Sequence, residues 1–291
     1  MPEPVMTTEK GDGIDMRIAV WQGADGRDVL CIHGLTANCR CWDLLAEAMA
    51  PPHRIIAPDL RGRGNSDKPP AGYSVAHHCR DLLALMESRK LARPVLMGHS
   101  LGALIALAFA ARHPRRVDRL VLLDGGGVLP EEHREKVLAG IKPSLDRLGK
   151  LFPSVERYLA SLKTAPFFHP WSPRLETYFR YEIETSAEGV RSNIHAAHIL
   201  EEIENMKTTD PAELYPRITC PVLILRALKG LLTEDDILLP EETARAMVRA
   251  MPRSACVDIQ DADHYSILFR PNRVRDDAIA AFLEPDGRLT R

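Results

Sequence analysis

The chain has 291 residues, of which 45% are hydrophobic and 27% are charged, and its formal net charge is −2 at pH 7. Such a composition is typical of a globular protein with a sizeable core. The balanced charge argues against a nucleic-acid-binding protein, which usually carries a basic excess or a basic stripe.

The N-terminal segment and the cysteines bear on localisation. The segment MPEPVMTTEKGDGIDM lacks the basic start and apolar run of a signal peptide, and no stretch approaches the ~18 apolar residues of a membrane span. We therefore expect a cytoplasmic protein with no membrane partner. We interpret the six cysteines as reduced apolar side chains, because a chain of this size folds without disulfides and Cys39 and Cys41 lack a zinc-site spacing.

Short apolar runs alternate with helical stretches along most of the chain. The runs show continuous apolar character, which is typical of strands buried on both faces of a parallel sheet. The alternation predicts a doubly wound, mostly parallel α/β sheet. The predicted strands lie at residues 29–32, 54–57, 94–97, 120–123, 221–225 and 255–259, and the predicted helices at 42–49, 74–90, 101–112, 240–251 and 273–283.

The stretch from 128 to 215 interrupts this alternation. It contains no convincing strand, and its helix-like segments lie at 131–151, 155–162, 174–184 and 194–206. Because ligands bind at the carboxyl edge of an open α/β sheet, we interpret 128–215 as a helical lid over that edge. Residues 1–127 and 216–291 then form the core. Three aromatic residues of the lid could line a substrate pocket or fill the interior of the lid itself. They are Phe167, Phe168 and Trp171.

The segment Gly98-His99-Ser100-Leu101-Gly102 lies between a predicted strand and a predicted helix. This is the setting of a G-x-S-x-G nucleophile elbow, in which a serine occupies a strained turn between the two elements. Glycines suit the flanking positions, because the strand and the helix nearly touch there. The positive end of the helix lies where an oxyanion would develop. The pattern predicts that Ser100 is a nucleophile.

Together with three further segments, this motif resembles the α/β-hydrolase family over nearly the whole chain. The resemblance implies an α/β-hydrolase fold, a catalytic base at His264 after the last strand, and oxyanion donors at the backbone N–H groups of Leu35 and Leu101. It gives the segment DLRGRGNSD a structural role. The three segments are His33-Gly34-Leu35-Thr36, DLRGRGNSD at 59–67, and Asp263-His264-Tyr265.

Four other histidines are given no catalytic role: we expect packing or hydrogen bonding for two of them, and lid packing or pocket lining for the other two. His33 and His99 belong to the predicted oxyanion turn and the elbow. His195 and His198 could share one face of a lid helix, but no further metal ligands accompany them. We expect no metal and no organic cofactor.

The triad acid has two candidates, because the chain order in this family is serine, acid, histidine. Most members place the acid just after the strand that follows the lid, yet residues 226–230 contain none. Asp236 comes later and would require an enlarged loop; it could instead cap the helix after Pro240. Some members place the acid at the end of the strand before the lid, which here is Asp124. We favour Asp124 and keep Asp236 as the alternative.

The elbow serine argues against haloalkane dehalogenases and epoxide hydrolases of this fold, which use aspartate there. The favoured function is a serine hydrolase, a carboxylesterase or lactonase, that cleaves a small to medium-sized ester-like substrate through an acyl-enzyme on Ser100. The alternatives are C–C bond or amide hydrolysis in ring-compound catabolism, and a ligand receptor on a hydrolase scaffold. Fast multiple turnover would separate an enzyme from a receptor.

Overall fold

A computed structural model describes residues 3–287, apart from the side chains of Glu132 and Arg134. Eight strands form one sheet in the order β1-β2-β4-β3-β5-β6-β9-β10, and β7 and β8 form a separate pair. The strands are β1 Val5–Lys10, β2 Asp15–Trp21, β3 Asp28–Ile32, β4 Arg54–Pro58, β5 Val95–His99, β6 Leu120–Leu123, β7 Ile183–Ser186, β8 Gly189–Ser192, β9 Val222–Ala227 and β10 Ser254–Ile259.

Ten α-helices accompany the strands in the described residues. They are α1 Asp43–Met49, α2 Val75–Ser88, α3 Leu101–Arg112, α4 Glu131–Asp146, α5 Val155–Leu162, α6 Pro173–Tyr181, α7 Ala196–Met206, α8 Glu241–Ala250, α9 Ser266–Phe269 and α10 Arg273–Leu283. None of the helices in residues 3–287 is long and apolar enough to cross a bilayer.

The predicted mostly parallel sheet is confirmed. Within the eight-stranded sheet, the pairings along β4-β3-β5-β6-β9-β10 are all parallel. The side chains of successive residues in the central strands pack on opposite faces of the sheet, because side chains alternate between the two faces of a strand. Leu120 and Leu122 of β6 pack in one apolar cluster, whereas Val121 and Leu123 pack in the other. This two-sided burial explains the continuous apolar runs of the sequence.

The sequence analysis missed β1 and β2, which form an antiparallel hairpin at the edge of the sheet. β2 also pairs antiparallel with β4. Every residue of β1 is at least partly exposed, so an edge strand of this kind carries little of the apolar signal that identified the others.

The insertion, defined as residues 128–215, packs over the carboxyl ends of the parallel strands. Its Tyr178 carbonyl accepts a hydrogen bond from Asn38 after β3, and its Tyr181 hydroxyl donates to Asp59 after β4. Its Phe167 ring stacks on Tyr265 after β10. The insertion therefore covers the edge of the sheet at which Ser100 lies.

The prediction that the insertion contains no strand was wrong. β7 and β8 form a hairpin there, and the helix predicted over 174–184 ends at Tyr181. The hairpin carries few apolar residues, so its sequence lacks the alternation that identifies a strand. A Cβ at Gly189 would lie 2.3 Å from the Phe152 carbonyl oxygen, which explains the glycine at the hairpin turn.

Candidate active site

Ser100 lies in a strained turn between β5 and α3. Its backbone has φ 56° and ψ −121°, a conformation that residues other than glycine rarely adopt. The turn is held by hydrogen bonds from Ser100 N to Leu123 O (3.1 Å) and from Ala103 N to Ser100 O (3.0 Å). The serine thus stands between the carboxyl end of a central strand and the amino end of a buried helix.

The two glycines of the elbow are required by close backbone contacts. A Cβ on Gly98 would lie 2.2 Å from the Gly102 carbonyl oxygen, and one on Gly102 would lie 1.9 Å from the Ile32 carbonyl oxygen. Both distances are far below van der Waals contact. The spacing G-x-S-x-G therefore reflects how closely α3 crosses β5 and β3.

The structure brings His264 and Asp124 together. His264 Nδ1 lies 2.8 Å from Asp124 Oδ2, and the side chains are only 5% and 1% exposed. The other carboxylate oxygen of Asp124 accepts a hydrogen bond from Ala227 N at 3.1 Å. The carboxylate is therefore fixed by β9 on one side and engages the imidazole on the other.

Asp236 lies apart from this pair. Its two carboxylate oxygens accept hydrogen bonds from Leu231 N (2.6 Å) and Leu232 N (2.8 Å), which closes the loop after β9. The interpretation of Asp236 as the cap of the following helix was wrong: the residue before α8 is Pro240, and no side chain within residues 3–287 caps that helix. Backbone N–H groups of this loop therefore supply the hydrogen bonds that the Asp236 carboxylate accepts.

His99 connects the elbow to His264. Its Nε2 lies 2.8 Å from the carbonyl oxygen of His264, and the two rings are 4.4 Å apart. A carbonyl only accepts, so Nε2 must carry the proton. Burial, with the neighbouring His264 adding to it, holds the pKa of His99 far below its ordinary value. A neutral His99 thus anchors the backbone of His264 to the elbow.

The predicted oxyanion turn, residues 33–36, lies directly against the serine. A Cβ on Gly34 would be 3.2 Å from the Cβ of Ser100. His33 Nε2 accepts from Leu60 N (3.0 Å), so its Nδ1 carries the proton and donates to Gly34 O (2.8 Å). The Gly34 carbonyl and the Leu35 N–H share one planar peptide, so His33 fixes the direction of that N–H.

Leu35 and Leu101 carry the two N–H groups that the sequence predicts as oxyanion donors. Within residues 3–287, the N–H groups of Leu35 and Leu101 donate to no acceptor. Leu35 N belongs to the turn oriented by His33, and Leu101 N is the first N–H of α3. Free N–H groups at a helix start and in an adjacent turn are the arrangement that binds a developing oxyanion.

The family model for the alpha/beta hydrolase fold matches residues 29–271. The chain belongs to the α/β-hydrolase family. The resemblance noted from the sequence is thereby confirmed, and the chain is placed among hydrolases.

Relatives of this α/β-hydrolase match over nearly its whole length. RutD of Klebsiella pneumoniae, a putative carbamate hydrolase by name, is 28% identical over 286 residues, with 94% of this chain and 97% of RutD covered. The 2-(acetamidomethylene)succinate hydrolase of Mesorhizobium japonicum is 27% identical, with 84% of each chain covered. A crystal structure of E-2-(acetamidomethylene)succinate hydrolase superposes with a TM-score of 0.83 at 24% identity, covering 96% of this chain and 99% of that one.

Other relatives match this α/β-hydrolase only in part. Uncharacterized proteins of Mycobacterium bovis and Mycobacterium tuberculosis are 42% identical over 103 residues. That match covers 35% of this chain and 30% of those proteins, so the chain spans less than a third of their length.

The lid aromatics form part of the interior of the insertion. Phe168 packs edge-on against Phe179 at 4.9 Å, and Trp171 stacks on the same ring at 5.8 Å. Phe167 stacks on Tyr265 at 4.5 Å. These contacts favour the interior of the lid over a pocket wall. Tyr265, which follows His264, joins this aromatic cluster to the site.

His195 and His198 pack rather than converge on a shared ligand. Their rings stack at 4.9 Å, and His198 also stacks on Tyr73 at 4.3 Å. His195 precedes the first residue of α7 instead of lying within a helix, as the sequence analysis had assumed. The stack joins the amino end of α7 to the loop before α2.

The buried neutral histidines predict acid sensitivity. Burial lowers the pKa of His33 from 6.5 to about 3 and that of His99 well below 6.5, whereas both protonate near 6.5 in the unfolded chain. Between these values the unfolded state binds more protons, so stability falls as the pH falls below 6.5. We expect each histidine to add about 1.4 kcal/mol per pH unit to the slope of the free energy of unfolding.

Urea unfolding at a series of pH values measures this slope. His99→Gln keeps an N–H for the His264 carbonyl but does not titrate, so the slope should decrease by about one proton. A free energy of unfolding that is constant between about pH 7 and pH 5 would contradict the neutral buried state of both rings.

Proposed function

We propose that this chain is a serine hydrolase in which Ser100 is the nucleophile, His264 the general base and Asp124 the triad acid. The contact of 2.8 Å between His264 Nδ1 and Asp124 Oδ2 carries the proposal. A carboxylate at Nδ1 holds the tautomer in which Nε2 is unprotonated and can accept the serine proton. The side chain of His99, the residue before Ser100, donates to the backbone carbonyl of His264, which supports the same assignment.

The proposed reaction proceeds through an acyl-enzyme. Ser100 Oγ attacks the substrate carbonyl while His264 takes its proton, and the N–H groups of Leu35 and Leu101 bind the oxyanion. The leaving group departs with the proton from His264. Water then attacks the acyl-enzyme with His264 again as base, and releases the acid and free Ser100.

An apolar cluster adjoins the proposed oxyanion hole. The Leu35 side chain packs against an aliphatic cluster of the insertion formed by Leu148, Ile194 and Ile199. Because Leu35 also carries one of the proposed donors, a bound carbonyl group would lie beside this cluster. The contact supports a substrate with an apolar portion next to its scissile bond.

We retain a carboxylic ester or lactone as the substrate class predicted from the sequence. A second candidate, an amide or carbamate, is favoured by the names of the relatives that match over most of their length. One is a putative carbamate hydrolase by name, and another acts on a compound whose name contains an acetamido group. The same proposed residues serve both classes, because His264 can protonate an alkoxide or an amine leaving group.

Covalent labelling tests the nucleophile. A fluorophosphonate probe should modify Ser100, identified by peptide mass spectrometry, and Ser100→Ala should block both labelling and turnover. Esters, lactones, amides and carbamates that share one acyl group then rank the substrate classes by kcat/KM. A label on another residue, or turnover retained by Ser100→Ala, would reject the assignment. A single slow turnover with every class would favour the receptor alternative.

A further inference from the structure

We propose that Arg63 and Arg147 are positioning residues that hold the oxyanion turn in place beside Ser100. Through them, the position of the turn depends on the packing of the insertion against the core. This inference rests on the proposed function, because it assigns a task to the turn that carries the Leu35 N–H. The sequence analysis gave neither arginine a role. Their partners lie far away along the chain, so no local spacing reveals them.

Arg63 connects the turn to helix α7. Its Nε donates to the Leu35 carbonyl at 3.0 Å, and its Nη2 forms an ion pair with Glu202 at 2.9 Å. Both side chains are fully buried. His78 Nε2 lies 2.7 Å from the same Glu202 oxygen. Burial raises the pKa of Glu202, but His78 and Arg63 outweigh it and lower the pKa to about 2, so the carboxylate is ionised.

Arg147 makes the corresponding contact one residue further along the turn. It follows the last residue of α4, and its Nη2 donates to the Thr36 carbonyl at 2.9 Å. Its Nε and Nη2 also bind the two oxygens of Glu182 at 2.8 and 2.9 Å. The Tyr158 hydroxyl donates to Glu182 as well. Consecutive carbonyls of the turn are therefore held by two arginines whose carboxylate partners both belong to the insertion.

These contacts fix the peptide that carries the proposed oxyanion donor. His33 holds the carbonyl before Leu35, and Arg63 holds the carbonyl after it. The dihedral angles of Leu35 are thus constrained from both sides, which fixes the direction of its N–H. Buried ion pairs contribute little net stability, because desolvation offsets their attraction. Two such pairs on one short turn are better explained by the precision that an oxyanion hole requires.

The test replaces the Arg63 pair without leaving a buried charge. In Arg63→Met/Glu202→Gln, the glutamine can still accept from His78, but the Leu35 carbonyl loses its donor. We expect kcat to fall about 10- to 100-fold with KM nearly unchanged, since a displacement of about 1 Å in a reacting group has effects of this size. Affinity for an alkyl trifluoromethyl ketone, which forms an oxyanion with the serine, should fall in parallel. Arg147→Met/Glu182→Gln should behave in the same way.

A second buried ion pair, formed by an arginine of the same segment at 59–67, supplies the matched control. Arg61 and Asp81 lie 2.7 Å apart and are similarly buried, but Arg61 donates to the carbonyls of Gly72 and Asp12 rather than to the oxyanion turn. Arg61→Met/Asp81→Asn should therefore leave kcat and ketone affinity unchanged, whatever its effect on thermal stability.

The outcomes separate this inference from the proposed function. If Ser100→Ala is inactive but Arg63→Met/Glu202→Gln keeps the wild-type kcat, the positioning role is rejected and the hydrolase stands. An equal loss of ketone affinity in the control also rejects it. Should the Arg63 double variant not fold, Arg63→Lys keeps the charge but loses the planar fork of donors. It must then show the same fall in kcat at constant KM, or the inference fails.

Discussion

Asp124→Asn is expected to lower kcat by about 10⁴-fold, while the protein remains folded. The amide oxygen introduced at position 124 would keep the hydrogen bond from Ala227 N, so the amide NH₂ group would face His264 Nδ1. An NH₂ group donates, which forces Nδ1 to accept and places the imidazole proton on Nε2. That tautomer cannot take the proton of Ser100. Steady-state kinetics on the best substrate class, with circular dichroism as a check of folding, measures the loss.

Asp236→Asn is the matched control. Its carboxylate accepts from the N–H groups of Leu231 and Leu232, and within the described residues it makes no hydrogen bond to His264. The substitution should weaken the loop after β9 by about 1 kcal/mol and leave kcat near the wild-type value. A larger loss of kcat in Asp236→Asn than in Asp124→Asn would transfer the acid role to Asp236.

Gly102→Ala is expected to destabilise the fold by at least about 3 kcal/mol. The added Cβ would lie 1.9 Å from the Ile32 carbonyl oxygen and 2.7 Å from that of His33. Both are backbone atoms at the end of a central strand, so neither can move as a flexible side chain would. Relief requires α3 to shift away from β3, which breaks the packing of a helix that is buried over almost its entire length. Chemical denaturation monitored by tryptophan fluorescence measures the effect.

Gly149→Ala separates this clash from the general cost of replacing a glycine. Gly149 has φ +76°, and a Cβ there would meet no heavy atom of the described residues within 4 Å. Only the left-handed backbone penalty of about 1 kcal/mol is expected. If Gly102→Ala costs no more than Gly149→Ala, the elbow is not as rigid as its short distances indicate, and α3 can adapt without loss of stability.

The sequence predicted the parts of the fold that depend on local pattern. The strand predicted at 120–123 is β6, Leu120–Leu123, and the helix predicted at 101–112 is α3, Leu101–Arg112. Both are almost wholly buried, so every residue contributes apolar signal. The elbow motif can also be recognised locally, because its serine and glycines are neighbours in the chain, although the contact that requires Gly102 is with the Ile32 carbonyl at the end of β3. β1 and the β7–β8 hairpin escaped prediction because largely exposed strands carry little of this signal. β2 is buried at five of its seven residues and was missed despite its apolar side chains.

The sequence by itself thus indicated the family, the central strands and helices of the core and the elbow serine, since the patterns that identify them lie among neighbouring residues. Only the tertiary structure decided which carboxylate lies beside His264, because Asp124 is 140 positions away from it and only the strand order of the sheet brings them together. It alone also revealed the two arginines on the oxyanion turn. From the sequence alone, a charged residue is expected to be exposed on the surface. Its burial against an opposite charge that is distant along the chain becomes evident only in the folded structure.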